Sequence, residues 1–193
     1  MRTIAFPAIA VALVSVMANS AYAQRPDPAT MMAAQKEAMK PLVIMDGVWR
    51  GPAWTILDNG QKHDVIQTER IGPFLDGTVK VIEGRGYDAA TGQVSFNAFG
   101  VVSYDAMRKA YSLHSYAQGQ SGDFKLTPTS DGYVWEIPAG PMTIRYTATI
   151  KDGGWLEVGD RIIPGREPVR FFEMNLKRVG DTDWPGAGAI PKN

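Results

Sequence analysis

Few side chains in this sequence can do chemistry, and their types narrow what that chemistry is. There are two histidines, His63 and His114, and no cysteine in 193 residues. Disulfides, thiolate metal sites and thiol nucleophiles are therefore excluded. A zinc ion needs three or four converging nitrogen, oxygen or sulfur ligands, and two distant histidines do not supply them, so no metal site is expected. His114 stands in the run Tyr111-Ser112-Leu113-His114-Ser115-Tyr116. There its imidazole either touches a ligand or is hydrogen-bonded structurally, and the pattern leaves its face undecided. His63, beside Asp64 and shortly after Asn59-Gly60, is expected in solvent at a loop end.

Carboxylates next to aromatic rings are the remaining candidates. Trp155-Leu156-Glu157 and Phe172-Glu173 put acids where loss of water raises a carboxyl pKa and suits it to acid or base work. Glu157 shares the Trp155 side of its strand, whereas Glu173 falls outside, so the two are not expected in one site. Gly119-Gln120-Ser121-Gly122 lacks the Gly-x-Ser-x-Gly spacing of a nucleophile elbow. Gly84-Arg85-Gly86 lacks the third glycine and following helix of a dinucleotide-binding turn. No catalytic residue and no cofactor is assigned, because an enzyme would rest on His114 and Glu157 without a recognised spacing.

The elements that must position these residues are mainly short strands. Before them, residues 1–23 combine a basic Arg2, an apolar run from Ile4 to Met17 and the small-x-small ending Ala21-Tyr22-Ala23. That is the pattern of a secretory signal peptide cut after Ala23, and its apolar run is shorter than the roughly 20 residues a membrane span needs. The mature protein is expected to be periplasmic or secreted, without a stable membrane anchor. Losing Arg2 leaves 19 basic against 20 acidic residues, a formal charge of −1. Such a balance gives no electrostatic footprint for nucleic acid.

Residues 24–45 are expected to form a polar lead and a short capping helix over Ala29 to Lys40, rich in good helix formers and stopped by Pro41. Met31, Ala34, Ala38 and Leu42 give it an apolar side. Residues 46–180 alternate with period two between turn signals, which predicts about ten antiparallel strands in up-and-down order. The first two, Val48 to Asp58 and Gln61 to Ile71, are expected to meet at a two-residue Asn59-Gly60 turn, with Gly72-Pro73 breaking the pairing. Closing the meander removes exposed edges, so an all-β barrel is expected. Residues 181–193, with Pro185, Gly186, Gly188 and Pro191, have little to bury and are expected to form a flexible tail.

Residues two apart in a strand share a face, which sorts the inside from the outside. With Trp49 inward, Gly51, Ala53 and Thr55 follow; with Arg178 inward, so do Leu176, Met174 and Phe172. Met142, Ile144, Tyr146, Ala148 and Ile150 oppose Thr143, Arg145, Thr147 and Thr149, and Tyr133 and Trp135 share a side. The predicted lumen is aromatic and methionine-rich. An Arg178 guanidinium over the Trp49 indole would fasten the last strand to the first, worth up to about 2 kcal/mol when shielded from water.

Gly47-x-Trp49 opening the first strand and a basic residue near the end of the last resemble the calycin group of lipocalin-like barrels. Leu75-Asp76-Gly77, Ser103-Tyr104-Asp105 and Phe171-Phe172-Glu173-Met174-x-Leu176-x-Arg178 extend the likeness to a bacterial family of unknown function within that group. The resemblance implies a roughly ten-stranded calycin-like barrel with a short N-terminal helix, and it implies no activity. A neighbouring branch, the nitrobindin-like haem barrels, uses an axial histidine, and neither His63 nor His114 stands in a late-strand setting that matches it.

Two functions from different classes follow from the same residues. In the first, the lumen binds a small apolar or amphipathic molecule through Tyr133, Trp135, Met142, Ile144, Tyr146, Trp155, Glu157, Phe172, Met174 and His114. Trp49 and Arg178 then serve barrel closure alone. In the second, the lumen is filled and the protein is an interaction module, a homodimer or a partner-binding surface, using the outward Trp54 and Ile56.

Overall fold

Asp27 caps the helix that the composition predicts, α1 (Pro28–Met39), its carboxylate accepting from the Thr30 backbone N–H at 3.1 Å. The computed structural model describes residues 27–184. The expected leader, its cleavage after Ala23 and the tail beyond Trp184 lie outside the described residues. Pro41 does not stop the helical path but sits in a 3-10 turn, Lys40–Met45, that continues it. Burial is concentrated in that continuation: Met39, Leu42 and Met45 are buried, whereas Met31, Ala34 and Ala38 are only half-buried. The helix lies across one end of the sheet, where the Tyr111 hydroxyl donates to the Ala38 carbonyl at 2.7 Å and Gln35 donates to the Tyr104 carbonyl.

Ten strands follow among the described residues: β1 (Gly47–Ile56), β2 (Lys62–Phe74), β3 (Val79–Asp88), β4 (Val94–Asp105), β5 (Ala110–Ala117), β6 (Gln120–Pro128), β7 (Gly132–Ala139), β8 (Met142–Lys151), β9 (Gly154–Ile162) and β10 (Val169–Gly180). Each pairs antiparallel with its neighbours in the chain, and β10 pairs with β1 to close the barrel. The all-β, up-and-down barrel with a short N-terminal helix is therefore the observed architecture. Closure leaves no strand of the ring unpaired along a whole side, only short lengths at the ends of strands such as β2 and β6.

Two local expectations about β2 are corrected. The β1–β2 turn is not a two-residue Asn59-Gly60 turn: Leu57 and Gln61 face each other across three residues, with Leu57 N donating to Gln61 O at 2.9 Å and Gly60 N to Leu57 O at 2.8 Å. Only Gly60 has positive φ, +79°, the arrangement of a type I turn followed by a left-handed glycine. Nor does Gly72-Pro73 break pairing, since Gly72 and Pro73 stand opposite Val81 and Lys80 on β3. Beyond Ile71 the strand has no β1 partner, and a proline is tolerated on such an edge.

The helix and the 3-10 turn shut one end of the barrel. Trp49, Ile71, Val102, Ile150 and Leu176 pack beneath Leu42 and Met45, and the Trp49 indole N–H donates to the Met45 carbonyl at 2.9 Å. Lys80 is 2% exposed and forms an ion pair with Asp46, at the junction of the 3-10 turn and β1. Burial pushes the lysine pKa down and the aspartate pKa up, and the pairing between them opposes both shifts.

Arg178 closes the seam differently from the expected cation–π contact. A register shift lies between Val48 and Trp49, and the guanidinium turns away from the indole. It donates to the Asp46 carbonyl at 3.3 Å and to Asp181 at 2.6 Å. The first tail residues are also packed rather than free. Trp184 stands edge-on to Phe74 at 5.6 Å, under the Arg70 guanidinium at 4.5 Å.

Candidate functional site

Away from the closed end, the inward side chains do not fill the barrel. A cavity of about 510 Å³ runs from a buried floor at Trp155 and Tyr133 to a rim that includes the exposed Phe96, Gln118, Gln120 and Ser121. Strand alternation supplies its walls. From β7 come Tyr133, Trp135 and Ile137, from β8 Tyr146, from β9 Trp155 and Glu157, and from β10 Phe172 and Met174. Trp135 stacks face to face on Tyr146, with centroids 4.2 Å apart and planes within 6°. Phe172 and Phe171 stand edge-on to Tyr146 at 5.6 and 5.8 Å.

Glu157 is 7% exposed and is held at both oxygens. The Tyr133 hydroxyl donates to Oε2 at 2.6 Å and the Trp135 indole N–H to Oε1 at 3.0 Å. Burial raises its pKa, and these donors pull it back by favouring the anion. Burial and the Glu157 charge push the Tyr146 phenol up to about 12, and they hold Tyr133 well above its ordinary value.

A second carboxylate faces the same space, and the sequence reading missed it. Glu69 on β2 is 8% exposed and lines the cavity, accepting from Gln67 Nε2 at 2.7 Å. Its pKa is pushed up to about 8, by burial first, then against the Gln67 hydrogen bond by the charges of Glu157 and Glu83. The Gly84-Arg85-Gly86 run, without phosphate-binding meaning, finds its use here. A Cβ on Gly84 would lie 2.7 Å from Glu69 Oε1, and one on Gly86 would lie 3.1 Å from Gln67 Oε1. The glycines leave the space over β3 that these two polar heads occupy.

Seven of the expected lumen residues, Tyr133, Trp135, Tyr146, Trp155, Glu157, Phe172 and Met174, line the cavity. Met142 and Ile144 do not, although they share the parity of Tyr146. They sit at the start of β8, and Met142 stands past Thr143, where the β9 ladder ends opposite Ile162. His114 also lies elsewhere. Leu113 and Ser115 take the inner face of β5, and His114 points outward, its Nδ1 2.8 Å from Asp123 and its ring 4.7 Å from Tyr116. His63 is at the rim instead, 3.4 Å from the Ser95 hydroxyl. Trp54, expected outward, also borders the cavity mouth, and the Lys62 ammonium covers its half-buried ring at 5.4 Å from the centroid.

Among the described residues no group of three or more His, Cys, Asp or Glu converges as a metal site would require, and no helix is long and apolar enough to cross a membrane. Chemically, the arrangement is an aromatic pocket with two sequestered acids. No family profile matches the sequence, and the search of curated proteins found no match. Among solved structures, the crystal structure of Rv2717c from M. tuberculosis superimposes with a TM-score of 0.55 at 11% identity, covering 73% of this chain and 96% of that one. At that identity the shared property is the fold: the chain is a ten-stranded antiparallel barrel similar to Rv2717c.

Proposed function

We propose that this is an exported calycin-type barrel that binds a small amphipathic molecule in its lumen. The observation that carries the reading is the cavity of about 510 Å³, within the range of about 300–1,000 Å³ typical of small-molecule sites. Its wall has the usual composition of such sites, stacked aromatics with a few polar groups held at fixed positions. A lumen filled by its own side chains, the alternative raised by the sequence, would not leave this volume open. The calycin grouping draws on the Gly47-x-Trp49 opening and the closure of β10 on β1; export draws on the leader pattern of residues 1–23.

Displacement of an environment-sensitive fluorophore tests the lumen reading. The protein should bind 1-aminoanthracene with enhanced emission, and Ala98→Trp, which fills the cavity from β4, should abolish that enhancement while the barrel remains folded by circular dichroism. Equal dye binding by the folded variant would refute the assignment. Mass spectrometry of the protein from a periplasmic fraction tests export, with a mature N-terminus at Gln24 expected.

A further inference from the structure

We propose that the lumen is built for an organic cation, an ammonium-bearing molecule whose N–H groups donate to Glu69 and Glu157 while its apolar part lies along the aromatic wall. This rests on the lumen being a ligand site and names the chemistry of the occupant.

Glu69 from β2 and Glu157 from β9 face one cavity, each less than a tenth exposed. No lysine or arginine is among the residues that line it, and His63 at the rim is its one basic member. Sequestered carboxylates without a counter-ion are costly. Both hydrogen bonds to Glu157 come from donors that favour an anion, and Gln67 does the same for one oxygen of Glu69. The other oxygen of Glu69 accepts from no described residue. The protein therefore presents acceptors inward and leaves the positive partner to be supplied.

A second observation points to the same space. The Trp155 indole nitrogen, in a side chain 2% exposed on the cavity wall, makes no hydrogen bond of good geometry among the described residues, although it lies near enough to Glu157 and Tyr133 to favour the anion of each. Its N–H therefore belongs to the donors gathered around the Glu157 head, beside which an occupant would sit. Trp135, Tyr146 and Phe172 line the same space, and a ring face turned to the lumen outside the Trp135–Tyr146 stack would add the quadrupole attraction that cations find over aromatic rings. An anionic head beside Glu69 and Glu157 would meet two acids, with His63 at the rim as the one basic lining residue, and a plain hydrocarbon would leave both acids without a cation. At about 30 Å³ per water, the cavity equals about 17 waters, room for an arylalkylamine.

The groups that face Glu69 set how a cation replaces its proton. Glu157 faces it from β9 and Tyr133 from β7, Gln67 lies beside it, Trp49 is its β1 partner, and Glu83 acts on it from β3. None of these is a base that already compensates it. Cation binding near pH 7 should therefore release a proton from Glu69 into solution.

The test uses three matched probes, 4-phenylbutylamine, 4-phenylbutanol and 4-phenylbutanoate, titrated by calorimetry in buffers of different ionisation enthalpy. At pH 8 the amine should bind at least tenfold more tightly than the alcohol and more tightly still than the carboxylate, with proton release growing as pH falls to 7. Glu69→Gln should bring the amine to within about threefold of the alcohol and leave the alcohol unchanged; Glu157→Gln is the second variant. If neither variant folds, the wild-type ranking and the proton release decide. Alcohol or carboxylate binding as tightly as amine would overturn the cation proposal and leave the lumen reading standing. No binding by any of the three, together with no dye binding, would overturn both.

Discussion

Glu69 holds its proton at neutral pH, because burial lifts its pKa from the ordinary 4.5 to about 8. The unfolded chain releases that proton above about pH 4.5, whereas the folded chain keeps it until about pH 8. Across this window the folded state binds more protons, so stability falls as pH rises and levels off above it. Glu157 and Asp46, also raised by burial, act in the same direction, and Lys80, lowered by burial, acts in the opposite direction at higher pH. Thermal unfolding followed from pH 5 to pH 8.5 should show a falling Tm in wild type. Glu69→Gln should flatten that slope and be the more stable protein at pH 8.5. Glu157 was legible in the sequence because Trp155 two residues earlier declares its face. Glu69 was not, since a charged residue between Thr68 and Arg70 on a strand reads as solvent-facing.

At the scale of the element, the hairpin between β1 and β2 explains why half of the cavity was hidden. With a two-residue turn at Asn59-Gly60, Asp58 would face Gln61 and Trp49 would face Arg70. The three-residue turn sets Trp49 opposite Glu69 instead. One residue of register exchanges the two faces of the whole strand, moving Gln67 and Glu69 inside. Strands β8 and β10 were easier to orient because apolar and polar residues alternate along them, as Ile144, Tyr146 and Ala148 do against Arg145 and Thr147. His114 stayed ambiguous because Ser112 and Tyr116 share its parity while Leu113 and Ser115 take the other, so neither face is clearly apolar. Gly84 allows a test of the β2–β3 fit. Gly84→Ala puts the new methyl against the Glu69 carboxylate, which can swing into the cavity, so the cost in chemical denaturation should lie near the low end of the about 1–3 kcal/mol of overpacking, with Glu69→Ala in the same chain restoring most of the loss. At the capped end, Lys80→Met leaves Asp46 without its cation. Because Asp46 retains partial exposure, the loss should lie toward the low end of the about 3–5 kcal/mol typical of a broken buried pair. Urea unfolding of the variant checks it, and Asp46→Asn combined with Lys80→Met should recover part of the difference.

For the whole molecule, the division of labour runs along the barrel axis. One end is shut by the 3-10 turn, Trp49 and the Lys80–Asp46 pair, and the other holds the cavity and its rim. Changes at the shut end should alter unfolding with little effect on ligand affinity, whereas changes around Glu69 should alter affinity as well as the pH dependence of unfolding. The overall architecture was readable from turn spacing and alternation because each strand announces its own ends, whereas the cavity depends on how side chains from distant strands share the interior. The seam between β1 and β10 has a bearing on time as well as on form. Thr55 meets Phe172 and Trp49 meets Arg178 across more than a hundred intervening residues, so the entropy of a very long loop is lost when this pair zips. The strands joined by tight turns can associate sooner. A chain emerging from its N-terminus therefore cannot complete its ring until its final strand is free.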